Sequence, residues 1–246
     1  MGRPIRVGVL TPHAAVGPAE ELPAMSPRRI MTCVARVSAD DASADTRTGL
    51  RELTTSPVLD QAAAILGDGS LDVLGHASTS TGYAIGFDAE EALVASLERR
   101  LGIPVAATCA SAVLALRVLG VERLALVHPP WFDAELNRLG SAYFESQGLD
   151  VVSCASASLS KDPDRIEPTA VYEWTALHVG DEAEGVFIGG NGFRAAGAIS
   201  ALEARIGRPV ITSNQGLLWN LLGRVGATSE IDGYGRLFSL TPASSR

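Results

Sequence analysis

The sequence lacks the features that define several large classes of protein. Its three cysteines, Cys33, Cys109 and Cys154, lie far apart and form no CxxC pair, which argues against a disulfide-rich scaffold and is typical of reduced cytosolic thiols. No apolar run reaches the roughly 20 residues that a membrane-spanning helix needs. The first residues carry no signal-peptide pattern. We therefore expect a soluble, cytoplasmic protein.

Clusters of positive charge are also missing. The formal net charge is −8 at pH 7, whereas nucleic acids and anionic membranes attract clustered Lys and Arg. We expect neither as a partner, and a small anionic ligand would have to be held by local donors. The chain has 246 residues, 46% of them hydrophobic and 20% charged, which is ordinary for one large globular domain or two smaller ones.

The usual nucleotide and metal motifs are absent. The chain contains neither GxGxxG nor GxxxxGK[ST], so a dinucleotide fold and a triphosphate loop are not expected. Its four histidines, His13, His76, His128 and His178, stand alone, without the paired spacing of a zinc site. The sequence therefore predicts no metal and no nucleotide cofactor.

Short apolar runs alternate regularly with longer segments of helical period. The runs predict eight strands, at residues 5–11, 29–37, 71–78, 104–108, 123–128, 149–155, 184–190 and 208–213. Six intervening segments carry apolar residues three and four apart, and most end in Gly: 57–69, 88–102, 111–120, 132–148, 167–180 and 194–207. This alternation predicts a doubly wound α/β fold with parallel sheets.

One part of the pattern occurs twice. VLGHASTSTGYAIG, a helix and LGIPVAATCAS in the first half correspond to VFIGGNGFRAAG, a helix and IGRPVITSNQG in the second. This indicates an internal duplication, although any two βαβ units look somewhat alike. Ligands of open α/β sheets bind at the carboxyl ends of strands, so two facing lobes would bring both turns to one cleft.

The strand-end turn at residues 76–83 is the richest in donors. Ser78, Thr79, Ser80 and Thr81 supply four hydroxyls in a row, and with the backbone N–H groups that enter the next helix they would form an anion site. Helix capping explains one such hydroxyl equally well. An earlier turn carries His13, which is either a substrate donor or acid/base group, or a solvated loop residue.

The turn at residues 189–192 has little side-chain chemistry. Gly189, Gly190 and Gly192 bring backbone amides close to a ligand, and Asn191 is its single side-chain donor. A tight connection that needs positive φ is the alternative explanation. Asn214 follows the last strand and offers another amide. Ser78 with His76 or His13 could also form a nucleophile and base, although GxSxG is absent.

Several segments together resemble the aspartate/glutamate racemase superfamily, in particular its maleate cis-trans isomerase and arylmalonate decarboxylase branch. They are GVLTPHAAVGPAEELPAMSP, VLGHASTSTGYAIG, IPVAATCASAVLALRVLGVERLALVHP, GVFIGGNGFRAAGAISALEARIGRPVITSNQGLLWNLL and IDGYGRLF. The resemblance spans nearly the whole chain. It implies two pseudo-symmetric Rossmann-like lobes, which we expect at 1–112 plus 213–246 and at 113–212, no cofactor, no metal, and a small carboxylate bound between the lobes.

The resemblance also implies a catalytic cysteine at one or both of two strand-end turns. In this chain those two positions fall on Ser78 and Gly190, so both thiols are missing. An asparagine of the isomerase branch falls on Ala15, and this loop is more similar to the decarboxylase type. Cys109 and Cys154 lie at other places in the predicted fold and do not substitute, although Cys109 could still lie near the cleft instead of being a buried apolar thiol.

The sequence therefore leads to one main hypothesis and two alternatives. The main hypothesis is a cofactor-independent decarboxylase, lyase or isomerase of a small carboxylic or dicarboxylic acid that uses thiol-independent acid/base chemistry. Its catalytic residues would be His13, His76 and Ser78, and its substrate-binding residues Thr79, Ser80, Gly189, Gly190, Asn191, Gly192 and Asn214. The alternatives are a non-catalytic carboxylate-binding protein and a Ser78-dependent hydrolase. A homo-oligomer is compatible with the sequence.

Overall fold

The computed structural model describes residues 3–12, 17–37, 47–55, 57–67, 70–227 and 230–241. Within these ranges lie eight strands: β1 (Ile5–Pro12), β2 (Ile30–Val37), β3 (Val73–His76), β4 (Val105–Ala107), β5 (Arg123–His128), β6 (Asp150–Ser156), β7 (Gly185–Ile188) and β8 (Val210–Thr212). The same ranges hold ten α-helices: α1 (Gly17–Met25), α2 (Arg47–Thr55), α3 (Pro57–Gly67), α4 (Thr79–Ile85), α5 (Phe87–Leu101), α6 (Thr108–Val118), α7 (Ala134–Glu145), α8 (Pro168–His178), α9 (Ile199–Ile206) and α10 (Ser213–Arg224).

The strands form two parallel sheets of four. The first has the order β2-β1-β3-β4 and the second β6-β5-β7-β8, so the same topology occurs twice along the chain. All eight predicted strands and the six predicted helical segments are present. The predicted α/β fold with two similar parallel lobes is confirmed.

Four strands, among them the edge strands β4 and β8, are covered on both faces. Every residue of β3, β4, β7 and β8 is buried, as is typical of parallel strands that lie between helices. One face of β3 packs on α10, where a side chain at Gly75 would contact Leu217 and Leu221. The other face carries Leu74, which packs in the core cluster with Leu59 and Leu97 of α3 and α5.

Four helices of the structure were not delimited by the sequence pattern, namely α1, α2, α4 and α10. Helix α10 is buried through its first ten residues, so it has no polar face and therefore no clear 3.6-residue period. It packs on α6 and α1 and on the ends of β3, β4 and β8. It therefore contacts strands of both sheets.

The carboxyl ends of β3, β4, β7 and β8 therefore meet. Hydrogen bonds join residues that follow β3 to residues that follow β7 and β8, across 112 and 134 positions of sequence. The first sheet uses residues 5–107 and the second 123–212; the lobe limits at 112, 113, 212 and 213 stay a prediction. In the described part of the chain, no helix combines the length and apolar character that crossing a bilayer requires.

Candidate functional site

The centre of the site is Thr79, the first residue of α4. Its backbone N–H and its hydroxyl both lie 3.0 Å from Oδ1 of Asn191. The same hydroxyl oxygen accepts from the backbone N–H of Gly190 at 3.1 Å and lies 2.8 Å from the hydroxyl of Ser213. Since a hydroxyl has one proton and two lone pairs, Thr79 accepts from Gly190 and Ser213 and donates to Asn191. We call the N–H and O–H of Thr79 the Thr79 donor pair.

The side chain of Asn191 fills the space in front of the Thr79 donor pair. It is 5% exposed, and its Nδ2 donates to Oγ1 of Thr108 at 3.1 Å and to Oδ1 of Asn214 at 2.9 Å. Thr108 in turn donates to the carbonyl of His76 at 3.2 Å. An amide oxygen of the protein therefore sits in a position that suits one oxygen of a carboxylate.

Asn214, the second residue of α10, connects this network to helix α1. Its Nδ2 donates to Oε2 of Glu21 at 2.6 Å and to the carbonyl of Asn191 at 3.0 Å. The other oxygen of Glu21 accepts from the backbone N–H of Ala196 at 2.7 Å. Burial raises the pKa of Glu21 to about 7, because a desolvated carboxylate is disfavoured relative to the neutral acid.

Ser78 is the N-cap of α4 and not a free hydroxyl. Its Oγ accepts from the backbone N–H of Thr81 at 3.2 Å and donates to the Thr81 hydroxyl at 2.7 Å. Capping therefore accounts for two of the four hydroxyls of this turn. Among the described residues, Ser78 has no hydrogen bond to a histidine, which a serine nucleophile would need. Ser80 is half-buried and takes no part in the network around Thr79.

The backbone of the glycine turn after β7 lies close to neighbouring parts of the chain. The N–H of Gly189 donates to the carbonyl of Val127, so it completes the sheet and is not directed at the site. Gly190 has φ of +96°, and a Cβ there would lie 2.8 Å from Cγ of Pro129. Gly192 lies against the start of α1, where a Cβ on Gly17 would approach it to 3.3 Å.

Of the two predicted acid/base histidines, the structure describes one. His13 lies outside the described residues. His76 ends β3 and is 3% exposed, and its Nδ1 has no hydrogen-bond partner. Burial lowers the pKa of His76 to about 4, so at neutral pH the imidazole is uncharged and can accept a proton. Since side chains alternate along a strand and Gly75 faces α10, His76 points to the opposite face of the sheet.

A second polar cluster lies beside the glycine turn. Nε2 of His128 is 3.0 Å from the hydroxyl of Tyr83, and its Nδ1 is 2.7 Å from Oδ1 of Asn137. A Cβ on Gly189 would lie 3.2 Å from the Tyr83 hydroxyl. Burial lowers the pKa of His128 to about 4. The pair is thus neutral, and it joins α4 of the first lobe to β5 of the second.

A buried carboxyl group forms another connection between the lobes. Glu90 on α5 is fully buried, and it accepts from the backbone N–H groups of Cys109 and Ala110 and from the hydroxyl of Tyr143 on α7. Burial raises the pKa of Glu90 to about 7. The thiol of Cys109 is 3.5 Å from the carbonyl of Thr79, and burial raises its pKa well above the usual value. This thiol is close to the site but is held protonated.

The network contains residues that sequence reasoning did not assign to the site: Glu21, Thr108 and Ser213. A signal for two of them was present, because the repeated Pro-Val strands end in Thr108 and in Ser213. Glu21 gave no such signal, since a glutamate in a helix is usually exposed. The structure brings Thr79, Gly190, Asn191 and Asn214 together, and it places Ser78 in the helix cap.

Comparison with known proteins is consistent with this architecture. A family model described as arylmalonate decarboxylase matches residues 45–238, which is more than half of the chain. The arylmalonate decarboxylase of Bordetella bronchiseptica is 25% identical over 165 residues, which are 65% of this chain and 68% of that protein.

Two solved structures share the fold over almost their full length. The maleate isomerase Iso from Pseudomonas putida S16 superimposes with a TM-score of 0.86 at 21% identity and covers 96% of this chain and 98% of its own. An unliganded arylmalonate decarboxylase superimposes with a TM-score of 0.81 at 20% identity and covers 96% of this chain and 99% of its own.

Proposed function

The chain belongs to the arylmalonate decarboxylase family, and from this premise we propose that it is an enzyme that decarboxylates or isomerises a small carboxylic acid without a cofactor and without a cysteine. Its sequence relative is an arylmalonate decarboxylase, and a maleate isomerase shares its fold. The observation that carries the proposal is the Thr79 donor pair, which holds the amide oxygen of Asn191 at 3.0 Å from both donors. Two converging donors are what an oxyanion needs.

The substrate carboxylate takes the position that the Asn191 amide oxygen occupies in this structure. Asn191 turns away, and its Nδ2 becomes available to the second carboxylate oxygen. The Gly residues on either side of Asn191 permit this rotation, because glycine tolerates a wide range of backbone angles. Ser80, which is half-buried and outside the network, supplies a further hydroxyl at the same turn.

The chemistry takes place at the carbon next to the bound carboxylate. In a decarboxylation, the bond to the second carboxyl group breaks, carbon dioxide leaves, and the electron pair remains as an enediolate on the held carboxylate. The Thr79 donor pair stabilises that developing charge, and a proton then adds to the carbon. In an isomerisation of a saturated acid, a base removes the proton from this carbon to give the same enediolate, and a proton then adds to the opposite face, which inverts the centre. Such preorganised donors contribute several kcal/mol of barrier reduction.

Proton transfer is assigned to His13 or His76, because Ser78 and Gly190 supply no thiol. His76 is uncharged at neutral pH and its Nδ1 has no partner, so in an isomerisation it serves as the proton acceptor. In a decarboxylation the proton that adds to the carbon comes from water. Ser78 contributes by fixing the start of α4, where its side chain binds Thr81. Ser78 is thus a positioning residue.

The experiment that tests the proposal is NMR of the purified protein in D2O with maleate, phenylmalonate, other substituted malonates, aspartate and hydroxy acids. We expect deuterium incorporation, loss of carbon dioxide or isomerisation of at least one acid. The rate should fall at least about 100-fold in Thr79→Val, because one of the two oxyanion donors is removed. His13→Ala and His76→Ala show which imidazole moves the proton.

A matched control is Thr175→Val. Thr175 is fully buried on α8 and its hydroxyl has no hydrogen-bond partner, so this isosteric change leaves turnover as in the wild type. If no acid of the panel is turned over while line broadening shows that it binds, the chain is a carboxylate-binding protein on an enzyme fold. Covalent labelling of Ser78 by a serine-directed reagent would instead favour a hydrolase.

A further inference from the structure

Glu21 is a buried carboxyl group that the proposed chemistry does not use. It lies on α1 and is 8% exposed. Its Oε1 accepts from the N–H of Ala196 at 2.7 Å, and its Oε2 accepts from Nδ2 of Asn214 at 2.6 Å. Both oxygens therefore act as acceptors, which is the pattern of an ionised carboxylate.

In the hydrogen bonds that connect Glu21 to the site, the donor and the acceptor of each bond are fixed. Because Nδ2 of Asn214 points to Glu21 and to the carbonyl of Asn191, its Oδ1 must accept from Nδ2 of Asn191. Asn191 then has its oxygen free for the Thr79 donor pair. The backbone groups at both ends, the carbonyl of Asn191 and the N–H of Thr79, fix the orientation of the two amides. Glu21 is the other acceptor of the Asn214 amide, so a change at Glu21 alters how firmly Asn214 holds Asn191.

We propose that Glu21 is a positioning residue that controls, through Asn214, whether Asn191 occupies the Thr79 donor pair. This inference rests on the proposed function only in treating that pair as the substrate site. When Glu21 is ionised, it accepts from Asn214 and the network holds Asn191 in place. When Glu21 is protonated, Oε1 still accepts from the N–H of Ala196, so the proton is on Oε2. The O–H of Glu21 and Nδ2 of Asn214 are then two donors that point at each other, and the hydrogen bond between Asn214 and Glu21 is lost. Asn214 no longer holds Asn191 in place, and Asn191 is released.

The surroundings of Glu21 place this change near neutral pH. Burial raises the pKa of Glu21 to about 7, although the hydrogen bonds from Asn214 and Ala196 and the charge of Arg194 lower it, and Glu20 on the same helix raises it slightly. Glu21, Glu20, Arg194, Glu167 and Tyr234 line one cavity of about 300 Å³. Solvent in this cavity provides a route for the proton. Binding of a carboxylate is then stronger when Glu21 is protonated.

The first test is an NMR titration of the ligand-free full chain between pH 5.5 and 8.5. We expect the side-chain amide signals of Asn214 and Asn191 to shift with the same midpoint as the Glu21 carboxyl carbon. Glu21→Gln should abolish this shift, whereas the neighbouring Glu20→Gln should keep it. The proposal is overturned if the Asn191 signal of the wild type does not follow the titration of Glu21. This test needs no substrate, and its main result comes from the wild type.

The second test measures binding of fumarate by calorimetry, since both of its carboxyls are ionised throughout this range. For the wild type and for Glu20→Gln, we expect roughly tenfold weaker binding at pH 8 than at pH 6, because the competent fraction falls by that factor. Glu21→Gln should bind at pH 8 as the wild type does at pH 6. Equal affinity of the wild type at both pH values would refute the inference. Coupled NMR shifts without turnover of any acid would refute the proposed function and leave the inference standing.

Discussion

At the scale of the residue, Asn191 is the side chain that we propose opens or closes the site. It fills the position that we assign to a substrate oxygen, and all of its polar side-chain atoms are hydrogen-bonded. The sequence identified it as the one side-chain donor of its turn. Its actual partners could not be predicted, because Thr79 lies 112 residues away and Thr108 lies 83 residues away.

Removing the Asn191 side chain should make the protein less stable but more responsive to a carboxylate. Asn191→Ala leaves buried donors without an acceptor, which lowers the free energy of unfolding by about 1–3 kcal/mol. Millimolar fumarate supplies an acceptor and should raise the midpoint of thermal unfolding more for this variant than for the wild type.

The control for this measurement is Asn220→Ala. Asn220 is buried on α10, and its Nδ2 donates to Ser111 at 2.9 Å, away from the Asn191 network. Its loss should cost a similar free energy of unfolding, and fumarate should restore none of it. If fumarate stabilises Asn191→Ala no more than the wild type, the assignment of the Thr79 donor pair as the carboxylate site is wrong.

At the scale of the element, the strands were predictable, whereas helices α1, α2, α4 and α10 were not. Buried parallel strands are short apolar runs, and all eight were recognised from composition and from the Gly, Pro, Ser or Thr that follows them. Helix α10 was missed because it is buried on all sides. Its start nevertheless carries a signal, since Thr212 and Gln215 form a capping box, for which Thr-x-x-Gln is the sequence signature.

The turn after β7 shows why a side chain, such as that of a cysteine, is not easily placed at Gly190. Its φ is +96°, and Cγ of Pro129 lies 2.8 Å from the position that a Cβ would take, so any side chain there meets both backbone strain and a steric contact. We expect Gly190→Ala to lower the free energy of unfolding by about 1–3 kcal/mol more than Gly207→Ala. Gly207 also has positive φ, at +73°, but its Cβ would project into open space.

A double-mutant cycle separates the two causes at Gly190. If the contact with Pro129 matters, Pro129→Ala should recover part of the loss in the Gly190→Ala background, with an interaction energy on the order of 1 kcal/mol. The measurement is urea unfolding of the wild type, both single variants and the double variant. Strict additivity would show that backbone strain alone excludes a side chain here.

At the scale of the whole molecule, the site is a product of the assembly of two lobes. The sequence predicted both lobes and their shared cleft, because each repeat unit carries its own pattern. It did not reveal Glu21, His128 or Glu90, since the burial of these titratable groups arises only when distant helices and strands pack together. Burial raises the pKa of Glu21 and of Glu90 to about 7, and it lowers the pKa of His76 and of His128 to about 4.

These four groups have opposite effects on stability between pH 4.5 and 6.5, the usual pKa values of Glu and His. In this window the unfolded chain has ionised carboxyls and protonated imidazoles, whereas the folded chain has the reverse. Each buried carboxyl, whose pKa is raised on folding, makes stability fall as pH rises. Each buried imidazole, whose pKa is lowered on folding, makes stability fall as pH drops. Two protons gained and two lost on folding cancel, so these groups leave stability nearly constant across the window.

Removing one of these groups should make the free energy of unfolding depend on pH. In Glu90→Gln, the unfolded chain binds one proton more than the folded chain, so the free energy of unfolding should rise by about 1.4 kcal/mol per pH unit between pH 4.5 and 6.5. In His128→Gln the excess is in the folded chain, and stability should fall with pH by about the same amount. Urea unfolding at several pH values measures both. The control is Glu91→Gln, an exposed neighbour on α5, whose free energy of unfolding should depend on pH as that of the wild type does. Slopes of the same sign in the two buried variants would show that these carboxyls and imidazoles do not titrate as opposing pairs.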